Sequence, residues 1–311
     1  MSHPLPRNDS HISRTPLTSI NGIHTLARDY DVFLFDIFGV LHNGVQFYDG
    51  TLNCLQQLRD NKKSIGLISN TPRCKDGVKE DLNALGLRDH LYDDIFTAGE
   101  SARQKLISVL EQNTDTQTFC YFMGNENFKA IVDGLDVILT DDITKADIVV
   151  NALPSIANEF DDGITDILTQ ARAHSIPMIC ANPDLVVDIG GILKFCSGTF
   201  ADQYEKMGGT VTYHGKPHAQ IYDEAWKRFA SPTKNRILAV GDSIRTDISG
   251  GKNFGFDVIW NIAGIHREEI KTVINNHGET DTIDSGVLKH FINDYDQNAP
   301  LPDYVLNELK W

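Results

Sequence analysis

The chain has 311 residues, 41% of them hydrophobic and 23% charged, with a net charge of −15 and a pI near 5.0. That is the composition of a soluble globular chain long enough for a full core and two domains. The negative charge excludes a nucleic-acid backbone or an anionic membrane surface as partner, because no long Lys/Arg run offers a local exception to the repulsion.

Five cysteines, at 54, 74, 120, 180 and 196, form no Cys-x-x-Cys pair, so reduced, mostly buried thiols are expected. The N-terminus has no apolar core flanked by basic residues, and nowhere do about 18 apolar residues run together. A cytoplasmic location is the expectation. Asn8-Asp9-Ser10 is then an inert match to a glycosylation acceptor.

In chain order, residues 1–28 are polar and are expected to wrap the outside. An apolar strand follows at 32–36, a helical period at 51–60, a strand at 64–69, and helices at 74–85 and 100–111. Strands are predicted at 118–122 and 147–152, a helix at 159–174, a strand at 177–181 and a helix at 218–230. The last elements are strands at 237–241 and 256–260 and a helix at 266–275. This alternation predicts an α/β fold, a doubly wound parallel sheet with helices on both faces. In such sheets ligands bind beyond the carboxyl ends of the strands.

Four polar clusters occupy that kind of position. Asp36 closes the first strand, Ser69-Asn70 closes the second, Lys216 sits in Gly-Lys-Pro before a helix, and Asp242 closes the strand Ile-Leu-Ala-Val-Gly. Each alone also reads as a helix cap or a turn. Together they have the order that phosphoryl transfer to a carboxylate needs. A carboxylate can approach a phosphate dianion only where charge is neutralised, which Mg²⁺ held by two Asp side chains and a nearby Lys can do.

These motifs resemble those of the haloacid dehalogenase superfamily, whose members are mostly phosphatases. The resemblance runs from about residue 30 to 265 through Asp36-Ile-Phe-Gly-Val-Leu, Ile68-Ser69-Asn70, Gly215-Lys216-Pro217 and Gly241-Asp242-Ser243-Ile-Arg-Thr-Asp247. Lys216 lies 146 positions beyond Asn70, and the stretch between them must contain a folded unit. With Asn182-Pro183-Asp184, they look like the class IIA branch with its α/β cap. The resemblance implies a Rossmann-like core of residues 1–98 and 197–311 and a cap of residues 99–196.

It also implies roles. Asp36 would attack phosphorus and bind Mg²⁺ through its other oxygen, with the Phe38 backbone carbonyl and Asp242 as further metal ligands. Lys216 would pair with Asp36 and the phosphate, Asp247 would orient the metal shell or Lys216, and Ser69 and Asn70 would hold the phosphoryl oxygens. Asn182 and Asp184 would contact the substrate or hinge the cap. The implied partner is a small phosphorylated metabolite, a sugar phosphate or aryl phosphate, and a homo-oligomer is left open.

Position 38 departs from the phosphatase pattern, which has there an Asp that protonates the leaving oxygen and later activates water. Phe38 can do neither, and such catalysis is typically worth about 10²–10⁴ in rate. Tyr48-Asp49-Gly50-Thr51-Leu52 contains a decoy of the motif, but no apolar strand precedes it. His42 and Asp49 are candidate substitute acids in the same loop. An aromatic at this position, followed by Gly39-Val40-Leu41-His42, resembles a subgroup of class IIA proteins, as does the C-terminal Leu306…Leu309-Lys310-Trp311. Two alternatives stay open: a phosphate-ligand binding protein with little or no turnover, and a haloacid dehalogenase. The retained Asp242 and Asp247 disfavour the second, since a metal-free dehalogenase does not need them.

Other motifs carry less. His214 and His218 are separated by Gly215 and Pro217, which argues against a zinc pair. The Gly190-Gly191, Gly208-Gly209 and Gly250-Gly251 pairs read as turns, and Asp141-Asp142 and Asp161-Asp162 as solvated helix starts.

Overall fold

The computed structural model describes residues 16–113, 116–153, 162–189, 192–277 and 284–311. Its centre is the strand β2 expected from the sequence. Residues β1 (Thr18–Ile20), β2 (Val32–Asp36), β3 (Ser64–Ser69) and β4 (Asp94–Thr97) precede a second group, β5 (Thr118–Gly124), β6 (Val137–Leu139), β7 (Ile148–Ala152) and β8 (Met178–Cys180). The hairpin β9 (Val186–Ile189) and β10 (Ile192–Phe195) leads to β11 (Val211–Tyr213), and the chain closes with β12 (Ile237–Gly241), β13 (Asp257–Asn261) and β14 (Tyr304–Leu306).

All five residues of β2 are buried, as a strand covered on both faces requires. Alternation divides it: Phe33 and Phe35 join one core cluster with Leu67 and Val240, while Val32 and Leu34 join another with Ile68 and Trp260. The seven-stranded sheet has the order β1-β14-β13-β12-β2-β3-β4, and its printed pairings are all parallel. From β2 the chain builds outward through β3 and β4, then returns to the other side with β12. The direction of winding therefore reverses between β2 and β12, where a crevice opens at the carboxyl ends. Register pairs Phe35 with Val240, so Asp36 and Asp242 emerge together.

Helices cover this sheet: α1 (Thr51–Asp60), α2 (Lys75–Leu85) and, after the second sheet, four later helices. The second sheet, β11-β8-β7-β5-β6, is parallel too, and is packed by α3 (Ala98–Gln112), α4 (Asp162–Ala173) and α5 (Ser197–Lys206). The later helices are α6 (Ala219–Arg228), α7 (Ser249–Phe254), α8 (Arg267–His277) and α9 (Ser285–Tyr295).

Several expectations change. The cap boundary at 196 is too early, because β11 pairs with β8 and Phe200, Ala201 and Tyr204 of α5 are buried in the second sheet's core. The second layer thus runs to about Tyr213. Residues 18–20 do not wrap the outside but form an edge strand of the main sheet. The C-terminal β14 lies between β1 and β13 in that sheet. Residues 159–161 of the expected helix 159–174, Asp161 of the acidic pair, the Gly190-Gly191 pair and Asn8-Asp9-Ser10 lie outside the described residues. All five cysteines are free, four of them buried. Among the described residues, no helix is long and apolar enough to cross a membrane.

Val305 is 2% exposed, with β13 on one side and β1 on the other. Val305→Asp is expected to destabilise the protein by at least about 3 kcal/mol in urea unfolding, since an unpaired carboxylate would be buried there. An unchanged midpoint would place residues 304–306 outside the sheet.

Candidate active site

Strand β2 delivers Asp36 and strand β12 delivers Asp242 to the crevice, and Lys216 enters from the loop between β11 and α6. The Lys216 Nζ donates to Asp36 Oδ1 at 2.5 Å and to Asp247 Oδ1 at 2.7 Å. Asp36, Asp242 and Asp247 each bring a carboxylate oxygen within 4.8 Å of the others, and all three are buried. Lys216 is only 2% exposed. Three carboxylates therefore face one ammonium.

The electrostatics follow from that imbalance. Burial pushes Asp36 up to about 7, against the pull of Lys216 and with help from Asp247. Asp242 is held well above the ordinary carboxylate range, first by burial and then by Asp36 and Asp247. Burial alone would lower Lys216, but Asp247 and Asp36 outweigh it and keep the ammonium charged. With every group ionised the cluster carries a net charge of about −2, in a pocket made only of oxygen donors around one lysine. A hard divalent cation fits that donor set and that charge.

The backbone is shaped around Asp242. A Cβ at Gly39 or at Gly264 would overlap the Asp242 carboxylate, and Gly39 adopts φ +87°. The backbone at Gly39 consequently lies against Asp242. Asp242 Oδ2 accepts from the Ile265 N–H at 2.8 Å, and Trp260 Nε1 donates to the Asp242 carbonyl at 3.0 Å. Asp247 accepts from the Ser243 N–H at 3.3 Å as well as from Lys216.

Asn70 is placed differently from the expectation. Its Oδ1 accepts from the Lys216 N–H at 2.6 Å, and its Nδ2 donates to the Lys216 carbonyl and to Asp184 Oδ1, both at 2.9 Å. Both amide hydrogens are thereby engaged, so the side chain clamps the lysine loop instead of reaching toward a phosphoryl oxygen. Ser69 is buried at the strand end, its Oγ within 3.3 Å of the Thr71 N–H. Asn182 also turns inward: its Oδ1 accepts from the Asp184 N–H at 2.9 Å, closing a local turn. Asp184 is connected to the site through Asn70.

Arg245 was quoted within the fourth motif without a role. Its Nη2 donates to the Pro183 carbonyl at 2.7 Å and lies 3.7 Å from Asp184, joining the core's fourth motif to the second layer. Only tertiary contact reveals this. Phe38 exposes half its side chain and sits edge-on to His42, with ring centroids 6.0 Å apart. Burial lowers His42 below its usual range, and its Nδ1 accepts from the Gly44 N–H at 2.9 Å. Nε2 therefore carries the hydrogen, and a neutral imidazole of this tautomer is a poor proton donor. Asp49 is exposed in the turn before α1. His214 is fully buried, 3.0 Å from Ser101 Oγ, while the His218 ring stacks on Tyr213, so the two do not converge on a common site.

Replacing Lys216 by Ala leaves the carboxylates without their cation and is expected to cost roughly 3–5 kcal/mol near neutral pH. The sign of the pH dependence follows from Asp36. Its pKa is raised in the folded state, so the stability of its neutral form is present at low pH and lost as pH rises through about 7. Urea unfolding should show a larger penalty for Lys216→Ala at about pH 8 than at about pH 5. A penalty independent of pH would mean that the carboxylates do not carry it.

Comparison with known proteins agrees with this architecture. A profile described as haloacid dehalogenase-like hydrolase matches residues 33–138, and a second, HAD-hydrolase-like, matches residues 213–285, together more than half of the chain. A haloacid dehalogenase-like hydrolase of Brucella suis superposes with a TM-score of 0.73 at 29% identity, covering 93% of this chain and 99% of that one. A glycerol phosphate phosphatase of Mycobacterium tuberculosis in complex with magnesium has the same fold, with a TM-score of 0.61 at 21% identity, covering 77% and 70%. The pyrimidine 5′-nucleotidase PynA of Streptococcus pneumoniae is 42% identical over 105 residues, 30% of this chain, and the match spans only 42% of that relative's own length. The four motifs converge in one buried cluster at the switch point of a Rossmann-like sheet, and the chain belongs to the haloacid dehalogenase-like hydrolases.

Proposed function

We propose that the protein is a phosphoric monoester hydrolase that acts on small phosphorylated metabolites through a phosphorylated Asp36. The observation that carries this reading is the Asp36–Lys216–Asp247 chain beside Asp242. Lys216 holds one oxygen of Asp36, which leaves the carboxylate oriented and its other oxygen available. Attack by Asp36 on phosphorus forms an O–P bond as the ester oxygen leaves with its electron pair. Water then attacks the same phosphorus and releases Asp36 and inorganic phosphate.

Mg²⁺ would be held by Asp36, Asp242 and the Phe38 carbonyl, and when bound it supplies neutralisation of the negative charge that otherwise repels the phosphate. Asp247 fixes Lys216, and Asn70 fixes the lysine's backbone on both sides. The relatives named as a nucleotidase and a glycerol phosphate phosphatase support phosphomonoesters as the substrate class.

Phe38 sets the rate. No carboxylate replaces the general acid at this position, and neutral His42 is no strong acid, so leaving groups that depart without protonation are favoured: aryl and acyl phosphates over alkyl phosphates. The loss corresponds to about 3–5 kcal/mol of transition-state stabilisation. Deprotonation of the hydrolytic water has no obvious base either, so breakdown of phosphorylated Asp36 limits turnover. The same exposed ring favours a second reading, a phosphate-ligand binder with negligible turnover.

With p-nitrophenyl phosphate and Mg²⁺, a burst of nitrophenolate followed by slow turnover is expected. EDTA and Asp36→Asn should each abolish both phases. Phe38→Asp should raise the steady-state rate by about 10²-fold or more. Absence of burst and turnover above the Asp36→Asn control would favour the binder.

A further inference from the structure

Residues 37–41, directly after the nucleophile, are buried except at one side chain. Ile37, Val40 and Leu41 are at most 4% exposed, whereas Phe38 is 50% exposed. An aromatic ring left in water forgoes the hydrophobic gain that the buried neighbours of Phe38 make. The ring is also held in place. It meets His42 edge-on at an interplanar angle of 89°, His42 in turn meets Phe47 at 87°, and a Cβ on Gly44 would sit 3.1 Å from Phe38 Cε2.

The ring does not simply face bulk solvent. It lines a cavity of about 480 Å³ whose other walls include His42, Ser69 at the phosphoryl end, and Val78 and Leu82 of α2. All of these belong to the main sheet's layer, and none comes from the second layer. The cavity has the size of a small-ligand pocket, with an apolar wall formed by Phe38, Val78 and Leu82 and a polar side that includes Thr71 and the Arg73–Asp81 ion pair. Its position is the decisive point. Phe38 is two residues from Asp36, and Ser69 on the cavity wall ends β3, whose Ile68 is paired with Asp36.

We infer that this cavity is the leaving-group pocket and that it takes an aromatic ring, attached directly to the phosphate oxygen, stacked on Phe38. The inference rests on the phosphomonoester reading above and names the substrate class within it. It also accounts for the substitution: a stacking surface occupies the place of a proton donor, and an aryl leaving group both uses the surface and dispenses with the proton. Offset stacking of two rings adds to area burial, and with the apolar wall it is enough for about tenfold in affinity.

Calorimetric titration of the full chain with Mg²⁺ separates the two levels of the argument, using vanadate, methylphosphonate and phenylphosphonate as probes. Phenylphosphonate should bind about tenfold or more tightly than methylphosphonate. Phe38→Leu should bring that ratio to within about threefold, and Ala84→Trp, an exposed α2 position on the cavity wall, should do so by filling the space. Equal binding of the two phosphonates by the wild type, or a ratio unchanged in both variants, would overturn the pocket while leaving the hydrolase reading standing. Failure of vanadate and both phosphonates to bind would remove the hydrolase reading itself.

Discussion

One buried ammonium organises this site. Lys216 lies between Asp36 and Asp247 with almost no solvent access, and its contacts tie the first, third and fourth motifs into a single charge cluster. Burying a charge costs several kcal/mol unless it is paired, so each partner depends on the others staying in place. The surrounding structure reads as a means to that end. The winding reversal between β2 and β12 opens the crevice, glycines at 39 and 264 make room for Asp242, and Asn70 grips the lysine's own peptide units.

The surplus of carboxylates makes the site incomplete in charge, and that is the physical reason to expect a divalent cation. It also explains why a phosphate dianion can be drawn to so acidic a protein. At a net charge of −15 the molecule as a whole repels phosphate, and a divalent cation held beside Lys216 would bring the local charge of about −2 to about zero. Phe38 changes none of this. In the proposed mechanism it alters what would stand beside the leaving oxygen, and so would bear on rate and on substrate class.

Much of the site was legible in the sequence because each component is a polar residue ending an apolar run, where periodicity stops and a strand's carboxyl end begins. Asp36, Ser69 and Asp242 fall there, and Lys216 was found from its Gly-Lys-Pro setting. The clamp formed by Asn70 was not legible, since its partner is 146 residues away and the same residue type also reads as a turn or a phosphate donor. Arg245 was in plain view within a motif, but its contact with Pro183 exists only after the two layers meet. Three-residue strands such as β1, β11 and β14 are too short for a period, so the sheet edge and the end of the second layer were misplaced. The exposure of Phe38 could not be anticipated either, because an apolar residue in an apolar run is ordinarily core.

The account stands or falls on covalent transfer to Asp36. Rapid acid quench of the protein during reaction with p-nitrophenyl phosphate and Mg²⁺, followed by peptide mass spectrometry, reads it directly. One phosphoryl group on the peptide containing Asp36, accumulating in step with the burst and absent in Asp36→Asn, is the predicted result. Turnover without any phosphorylated peptide, or label on a different residue, would contradict it.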